Sequence, residues 1–278
     1  MNFFLFRGLI EAALREDRAD LDLTTLATVR AEAKGRGRII ARQSGVIAGL
    51  PLACEVFALL DGGLACEQFA ADGVRVPAGA VLAEVKGPLR PMLTGERTAL
   101  NFLQHLSGVA TATAALADLI RDLPARILDT RKTTPGFRYL EKYAVMMGGG
   151  ANHRFSLAEM ILIKDNHLRA AGGVAKAVEL ARQKAPPYAR IEVECETEAQ
   201  VREALAAGAD LIMLDNMSPE EMGRMVRLVG GRAKLEASGN ITAGNIRSVA
   251  ATGVDFISVG ALTHSAPALD VAMEITAD

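Results

Sequence analysis

Residues 129–167 carry the densest chemistry in the chain. They read Asp129-Thr130-Arg131-Lys132-Thr133-Thr134-Pro135-Gly136, then Gly148-Gly149-Gly150-Ala151-Asn152-His153-Arg154, then Ile163-Lys164-Asp165-Asn166-His167. Between Arg131 and Arg169 seven bases (Arg131, Lys132, Arg138, Lys142, Arg154, Lys164, Arg169) stand against three acids (Glu141, Glu159, Asp165). That is a local charge of +4 in a chain whose net charge is −2. The cations sit among Gly, Pro, Thr and Asn at the ends of apolar runs, where sites are built. Guanidinium and ammonium groups that converge need anions between them, and a pocket for a small, multiply anionic substrate is the simplest use of such a set.

Each part of the block also has a bland reading. Arg131 and Lys132 are adjacent on an extended segment and point in opposite directions, so they serve different groups or are two surface cations. The Thr, Pro and Gly around them favour a site. Three glycines before His153-Arg154 allow close backbone approach, or form a flexible loop. No Gly-Lys-Ser/Thr follows, so they are not an ATPase phosphate loop. Lys164 could form a Schiff base, hold a phosphate, or pair with a neighbouring carboxylate. The accompanying arginines favour the anion role.

Two further sets complete the inventory. Glu194 and Asp215 could hold Mg²⁺ through waters and substrate oxygens, or accept bonds from ribose hydroxyls. Residues 192–215 contain seven acids and one base, and most of that excess reads as a solvated helix face. Ser238-Gly239-Asn240 and Val259-Gly260-Ala261 place small residues after apolar runs, as phosphate cradles do. The histidines and Cys195 lack zinc-like spacing.

The elements that must position these residues have a regular rhythm. Strand-like runs at 126–129, 160–164, 191–195, 211–215, 235–238 and 256–260 are followed by helical patterns at 173–184, 198–207, 219–229, 243–251 and 268–275. Alternation of this kind implies a parallel sheet with crossover helices. Only six strands are visible, which predicts an incomplete or distorted (β/α) barrel. Lys164, Glu194, Asp215, Ser238 and Gly260 mark strand ends, where barrel chemistry lies. Glu192 and Glu194 share one face of their strand, as do Lys234, Glu236 and Ser238, so the barrel interior is expected to be polar.

The first half differs. Strands are expected at 36–41 and 46–47, a helix at 51–60, tight turns at 72–79 and 87–88, and a long helix at 94–120 with Ser107-Gly108 as its weak point. Asp22-Leu23-Thr24-Thr25 is a helix-cap or turn signal.

Composition narrows the classes. A chain of 278 residues, half hydrophobic, can bury a large core in one or two domains. Sparse aromatics and no basic-aromatic run argue against nucleic acid. Three cysteines, Cys54, Cys66 and Cys195, make no C-x-x-C pair, so a reduced, cytoplasmic protein is expected. The apolar start, Met1–Phe6, is too short for a signal peptide. The run 46–66 is cut by Pro51, Glu55 and Asp61 and is not a membrane span.

Taken together these residues resemble the quinolinate phosphoribosyltransferase family. The likeness runs from Glu16-Asp17 and Asp22–Thr25 through Gly95–Asn101, the 129–167 block, Glu192–Glu194, Leu214–Asn216 and Ser238–Asn240 to Ser258–Ala261. Leu21 departs from the pattern, where a glycine often stands. The resemblance implies an N-terminal α/β-sandwich domain (1–108), an incomplete β/α barrel (109–265), and a C-terminal helix (266–278) that packs back on the first domain. It implies a transferase for NAD biosynthesis that uses quinolinate, phosphoribosyl pyrophosphate (PRPP) and the Mg²⁺ that PRPP carries, with no prosthetic group. It further implies a homodimer, or a higher oligomer, in which Arg97 reaches the partner's barrel. Thr130, Arg131, Lys132, His153, Arg154 and Lys164 would hold quinolinate. Lys132, Lys164, Glu194 and Asp215 would be catalytic. They would also meet PRPP, together with Ser238, Gly239, Asn240, Val259, Gly260 and Ala261. The rival readings are a paralogous phosphoribosyltransferase of molybdenum-transport operons, a Schiff-base aldolase using Lys164, and a non-catalytic sugar-phosphate binder.

Overall fold

The computed structural model describes residues 3–278, with side chains from Leu5 onward. Met1 and Asn2, the first residues of the apolar start, lie outside the described residues. These residues form twelve strands: β1 (Lys34–Ala41), β2 (Gly45–Val46), β3 (Ala65–Gln68), β4 (Arg75–Val76), β5 (Val81–Pro88), β6 (Arg126–Leu128), β7 (Ile161–Ile163), β8 (Ile191–Cys195), β9 (Leu211–Asp215), β10 (Lys234–Ser238), β11 (Phe256–Ser258) and β12 (Val271–Ala277). They belong to two compact units. One holds residues up to Ala114, Thr134–Gly149 and Ser265–Asp278. The other holds Ala115–Thr133 and Gly150–His264.

In the first unit the sheet runs β12-β1-β5-β3 with antiparallel neighbours. β1 reads Lys-Gly-Arg-Gly-Arg-Ile-Ile-Ala, exposed and buried in turn until Ile40, as a strand with one face on a core must. Helix Leu50–Leu60 covers the core with Leu50, Leu52, Val56 and Phe57. Asp22 caps helix Leu23–Thr28, accepting from Thr25 N at 3.0 Å and from Thr94 Oγ1 at 3.0 Å.

Three expectations need correction here. Residues 271–277 are a strand, not a helix. Val271, Met273 and Ile275 alternate, and β1 offers an open edge that they fill, with Gly37 opposite Ile275. The local alanine content had suggested a helix, and edge pairing overrides it. Residues 134–149 form helix Arg138–Met147 and group with the first unit rather than with the barrel. Tyr143 donates to Asp72 at 2.7 Å, and Gly148 lies against Ala110 O. Cys54 and Cys66 form a disulfide rather than staying reduced, because helix Leu50–Leu60 and β3 pack together and bring their Cα atoms to 5.7 Å. Cys195 is free and buried, and burial pushes its thiol up to about 12.

The second unit is a six-stranded parallel sheet in the order β6-β11-β10-β9-β8-β7. The first strand pairs with the last, as in barrel closure, whereas β6 and β7 are not paired with each other. The barrel is therefore open between them. Ala151 makes a single parallel bridge to Leu128 on the free side of β6. Apolar residues of β8–β11 and of the crossover helices make the core, among them Val193, Ile212, Leu214, Ala237 and Ile257. Three crossover helices have defined starts: Thr197 and Ser218 cap theirs in capping boxes, and the Lys164 N–H donates to His167 Nδ1 at 2.9 Å.

Helix Leu89–Ile120 runs unbroken through Ser107-Gly108. Gly108 marks a close approach, since a β-carbon there would lie 2.1 Å from Pro267 O. Alanine favours a helix interior over glycine by about 1 kcal/mol. Here the backbone clash should outweigh that gain. Gly108→Ala should destabilise by about 1–3 kcal/mol in urea titration; a more stable variant would show that the segment around Pro267 yields freely.

Candidate active site

A cavity of about 890 Å³ opens at the C-terminal ends of the barrel strands. Its wall contains Thr130, Arg131, Lys132, His153, Arg154, Lys164, Glu194, Asp215, Ser238, Gly239, Asn240, Val259, Gly260 and Ala261. Arg97 is not on it. It lines a separate cavity of about 520 Å³ within the first unit, with Asn101, His105 and Phe137.

The cationic block divides. Arg131, Lys132, Arg154 and Lys164 face the cavity. Arg138 and Lys142 belong to the helix of the first unit. Arg169 pairs with Asp165 at 3.3 Å on the exposed helix Asp165–Ala171. Sequence could not separate these sets, because Pro135 and Gly136 hide where the chain leaves the barrel.

The four cations are held from behind. The Lys132 N–H donates to Thr130 Oγ1 at 3.0 Å, and its carbonyl accepts from Thr263 Oγ1 at 2.7 Å. Arg154 Nη1 donates to Met160 O at 2.9 Å. The Nε of Arg131 and the Nε of Arg154 are buried without a partner. Burial and the neighbouring Arg131 hold the Arg154 guanidinium below its usual range. An anion bound here would supply the missing acceptors and relieve that repulsion. Lys164 pairs with Glu194.

His153 is positioned by the bridge of Ala151 to β6. Asp129, at the end of β6, accepts from His153 N at 2.9 Å and from Asn152 Nδ2. The ring Nδ1 accepts from Arg154 N at 2.7 Å, so a neutral ring carries its proton on Nε2. Nε2 faces Glu192 Oε2 at 3.1 Å and Glu236 Oε2 at 3.7 Å. Both ring nitrogens are thus engaged within the protein. Glu192 and Glu236 are fully buried, and burial and then the charge of Glu192 push the Glu236 carboxyl above the usual range. The sequence places Glu192 and Glu236 on inward polar strand faces but gives neither a role in the site, and Asp129 has no signal of its own. The signal was there in the period of two: 192, 194, 236 and 238 all point inward. Lys234 does not join them, since it is exposed at the strand start and pairs with Asp255 at 2.6 Å.

At the far wall, Asn216 and Asn240 both adopt left-handed backbone, at φ 56° and 52°, and Asn240 Nδ2 donates to Asn216 Oδ1 at 3.1 Å. Gly239 between them has φ 93°, and a β-carbon there would lie 2.2 Å from Asn216 Oδ1. Gly260 leaves room for Lys132, whose Cδ would lie 3.0 Å from an added β-carbon. Asp215 is bonded by Asn216 Nδ2 at 2.6 Å, and burial and then Glu194 push its carboxyl up. A cation between Glu194 and Asp215 would relieve that, so the pair suits a bound divalent ion or ribose hydroxyls.

The chain matches the sequence profiles of the quinolinate phosphoribosyl transferase N-terminal domain over residues 22–107 and C-terminal domain over residues 109–274. It is 44% identical, over 99% of its length and 95% of the relative's, to a probable nicotinate-nucleotide pyrophosphorylase (carboxylating) of Bacillus subtilis. It is 40% identical, over 97% of its length and 82% of the relative's, to quinolinate phosphoribosyltransferase (decarboxylating) 1b of Nicotiana tabacum. The crystal structure of NadC from Streptococcus pyogenes superposes with a TM-score of 0.96 at 43% identity, covering 100% of this chain and 99% of that one.

If the Gly239 turn holds an anion, Gly239→Ala should weaken inorganic phosphate binding by about tenfold or more, the equivalent of one charge-assisted hydrogen bond. Calorimetry measures this, with circular dichroism as the folding control. Unchanged affinity would put the anion elsewhere.

Proposed function

The chain belongs to the quinolinate phosphoribosyltransferase family, and on that premise we propose that this cavity transfers the phosphoribosyl group of PRPP to quinolinate. The product loses CO₂, leaving nicotinate mononucleotide and pyrophosphate. The observation that carries this reading is a single cavity holding two arginines with unsatisfied Nε donors, two lysines, and two glycine-containing strand-end turns. The named relatives favour it over a Schiff-base aldolase or a molybdenum-operon paralogue.

Arg131 and Arg154 are assigned to the two carboxylates of quinolinate, with Thr130 beside them. His153 orients Arg154 through its backbone N–H rather than reaching substrate through a ring nitrogen. Lys132 and Lys164 lie between the two substrates and offset the charge that grows on departing pyrophosphate. Ser238–Asn240 and Val259–Ala261 take the 5-phosphate. Glu194 and Asp215 face the ribose and the Mg²⁺ that PRPP brings, and Mg²⁺ adds charge compensation for pyrophosphate. The ring nitrogen, held in line, attacks C1 of an oxocarbenium-like ribose. It becomes cationic, and the adjacent 2-carboxylate can then leave as CO₂.

A homodimer with shared sites belongs to the same proposal, with Arg97 completing the partner's cavity. So does a cytoplasmic setting, in which the Cys54–Cys66 disulfide is a departure from the usual reduced state. No helix among the described residues is long and apolar enough to cross a membrane.

The direct test is Mg²⁺-dependent release of pyrophosphate and CO₂ from PRPP plus quinolinate, with nicotinate as control acceptor. Activity with nicotinate alone would refute the assignment. Arg131→Ala and Arg154→Ala should each weaken quinolinate binding by about one to two decades, with little effect on PRPP, and lysine should rescue poorly. Arg97 is tested by complementation. Arg97→Ala and Lys164→Ala homodimers should each be nearly inactive, and co-refolding them should restore roughly a quarter of wild-type activity, since about half of randomly paired dimers carry one intact site. No recovery, with heterodimers verified by native mass spectrometry, would place Arg97 outside a shared site.

A further inference from the structure

Glu236 is a buried acid on the cavity wall that the reaction above leaves unused. It sits on β10, fully buried, yet it borders the same cavity as Arg131, Arg154 and Lys164. Neither of its carboxyl oxygens has a hydrogen-bond partner. From β11 the Ser258 hydroxyl lies beside Glu236 and makes a long bond of 3.4 Å to Ala237 O. From β8 comes Glu192, also fully buried, with its Oε1 unpartnered. From the segment beside β6, His153 Nε2 stands 3.1 Å from Glu192 and 3.7 Å from Glu236. Asp129 lies behind His153, bonded to its backbone N–H. Lys164, at the end of β7, contributes a more distant positive charge and is itself paired with Glu194.

One imidazole cannot balance two buried carboxylates. Even a protonated His153 would compensate the nearer acid, Glu192, and leave Glu236 ionised and buried beside a second carboxylate. Neutral Glu236 avoids that cost.

We propose that Glu236 holds a proton at neutral pH and delivers it to C2 of the pyridine ring as CO₂ leaves. The proposal rests on the phosphoribosyltransferase reading. When the bond from C2 to the carboxylate carbon breaks, its electron pair stays on C2 beside the cationic nitrogen. That pair takes the proton from the Glu236 carboxyl, the new C2–H bond forms, and Glu236 becomes a carboxylate. Water reprotonates it when product leaves and the cavity refills. Without a donor, C2 recaptures CO₂, and transfer becomes uncoupled from decarboxylation.

Two measurements test this on the full-length protein. Infrared spectroscopy of the substrate-free wild type at neutral pH should show the carbonyl band of a protonated, weakly bonded carboxyl. The band should shift with carbon-13-labelled glutamate and vanish in Glu236→Gln. In single-turnover assays Glu236→Gln should release pyrophosphate within about threefold of the wild-type rate. It should release CO₂ about 100-fold more slowly, the scale of a lost general acid. Absence of the band in labelled wild type overturns the proposal even if the variant does not fold. Wild-type CO₂ release by Glu236→Gln overturns it too. So does a stoichiometric transition-metal ion in the purified protein that Glu236→Gln loses, since His153, Glu192 and Glu236 offer three donor atoms within 4.8 Å of one another. A wild type that makes no pyrophosphate from quinolinate and PRPP would instead defeat the family-based reading, which the infrared band does not depend on.

Discussion

Repulsion between the Arg131 and Arg154 guanidinium groups is the constraint around which the barrel unit is arranged. Each leaves a buried Nε without an acceptor, and Arg131, after burial, raises the cost of ionising Arg154. Such groups stay in place only if the scaffold fixes them by other contacts. For Arg154 these are the Met160 carbonyl on one side and the His153 ring on the other. His153 is fixed in turn by Asp129 and the inward carboxylates. The cations are thus preorganised by bonds to groups other than their ligand. An anion entering the cavity gains their full hydrogen-bonding capacity without first having to order them.

The opening in the barrel makes this arrangement possible. In a closed eight-stranded barrel, branched apolar side chains fill the interior in layers. Here β6 and β7 do not meet, and residues 150–154 run along the free side of β6 through one bridge at Ala151. The glycines before that bridge let the segment turn in without side-chain bulk. His153 and Arg154 enter where strand side chains would otherwise pack. The remaining inward positions of β8, β9 and β10 carry Glu192, Glu194, Met213, Asp215, Glu236 and Ser238. Regular strand geometry therefore delivers an alternating set of charges to the cavity.

Much of this was legible in the sequence, for physical reasons that can be named. The strands were readable because their apolar runs are short, β-branched and evenly spaced. The inward carboxylates were readable because a strand repeats every two residues. Legibility failed where tertiary contact outweighed local signal. Residues 271–277 look helical by composition but serve as an edge strand, because β1 has an unpaired side. Gly108 looks like a helix break but is a close-packing point against Pro267. Residues 134–149 lie within a run of site motifs yet fold with the other unit, through bonds such as Tyr143 to Asp72 that no local pattern announces. The pairing of Cys54 with Cys66 is of the same kind, since it depends on helix Leu50–Leu60 packing on β3. The role of Glu192 was hidden by neighbouring surface acids of helix Glu198–Ala206, which share its charge but not its burial.

On the proposed reading, the charges assigned to quinolinate must also let it lose one of its carboxylates. Before transfer the ring is neutral and the substrate is a dianion, so the arginines and lysines stabilise it fully. Transfer puts a positive charge on the ring nitrogen, among cations already short of partners. Departure of pyrophosphate then removes anionic charge from the lysine end. Both changes raise the positive potential at the ring and favour electron density at C2, the position that the leaving CO₂ vacates. The clamp on the 2-carboxylate opposes that departure, because CO₂ is neutral and gives up its bonds to arginine. Glu236 in the protonated state proposed for it would offset this by trapping the C2 electron pair as a bond to hydrogen. A carboxylate at position 236 would stabilise the cationic ring and offer no proton. Full burial is what distinguishes Glu236 from Glu194, which is less buried and paired with Lys164.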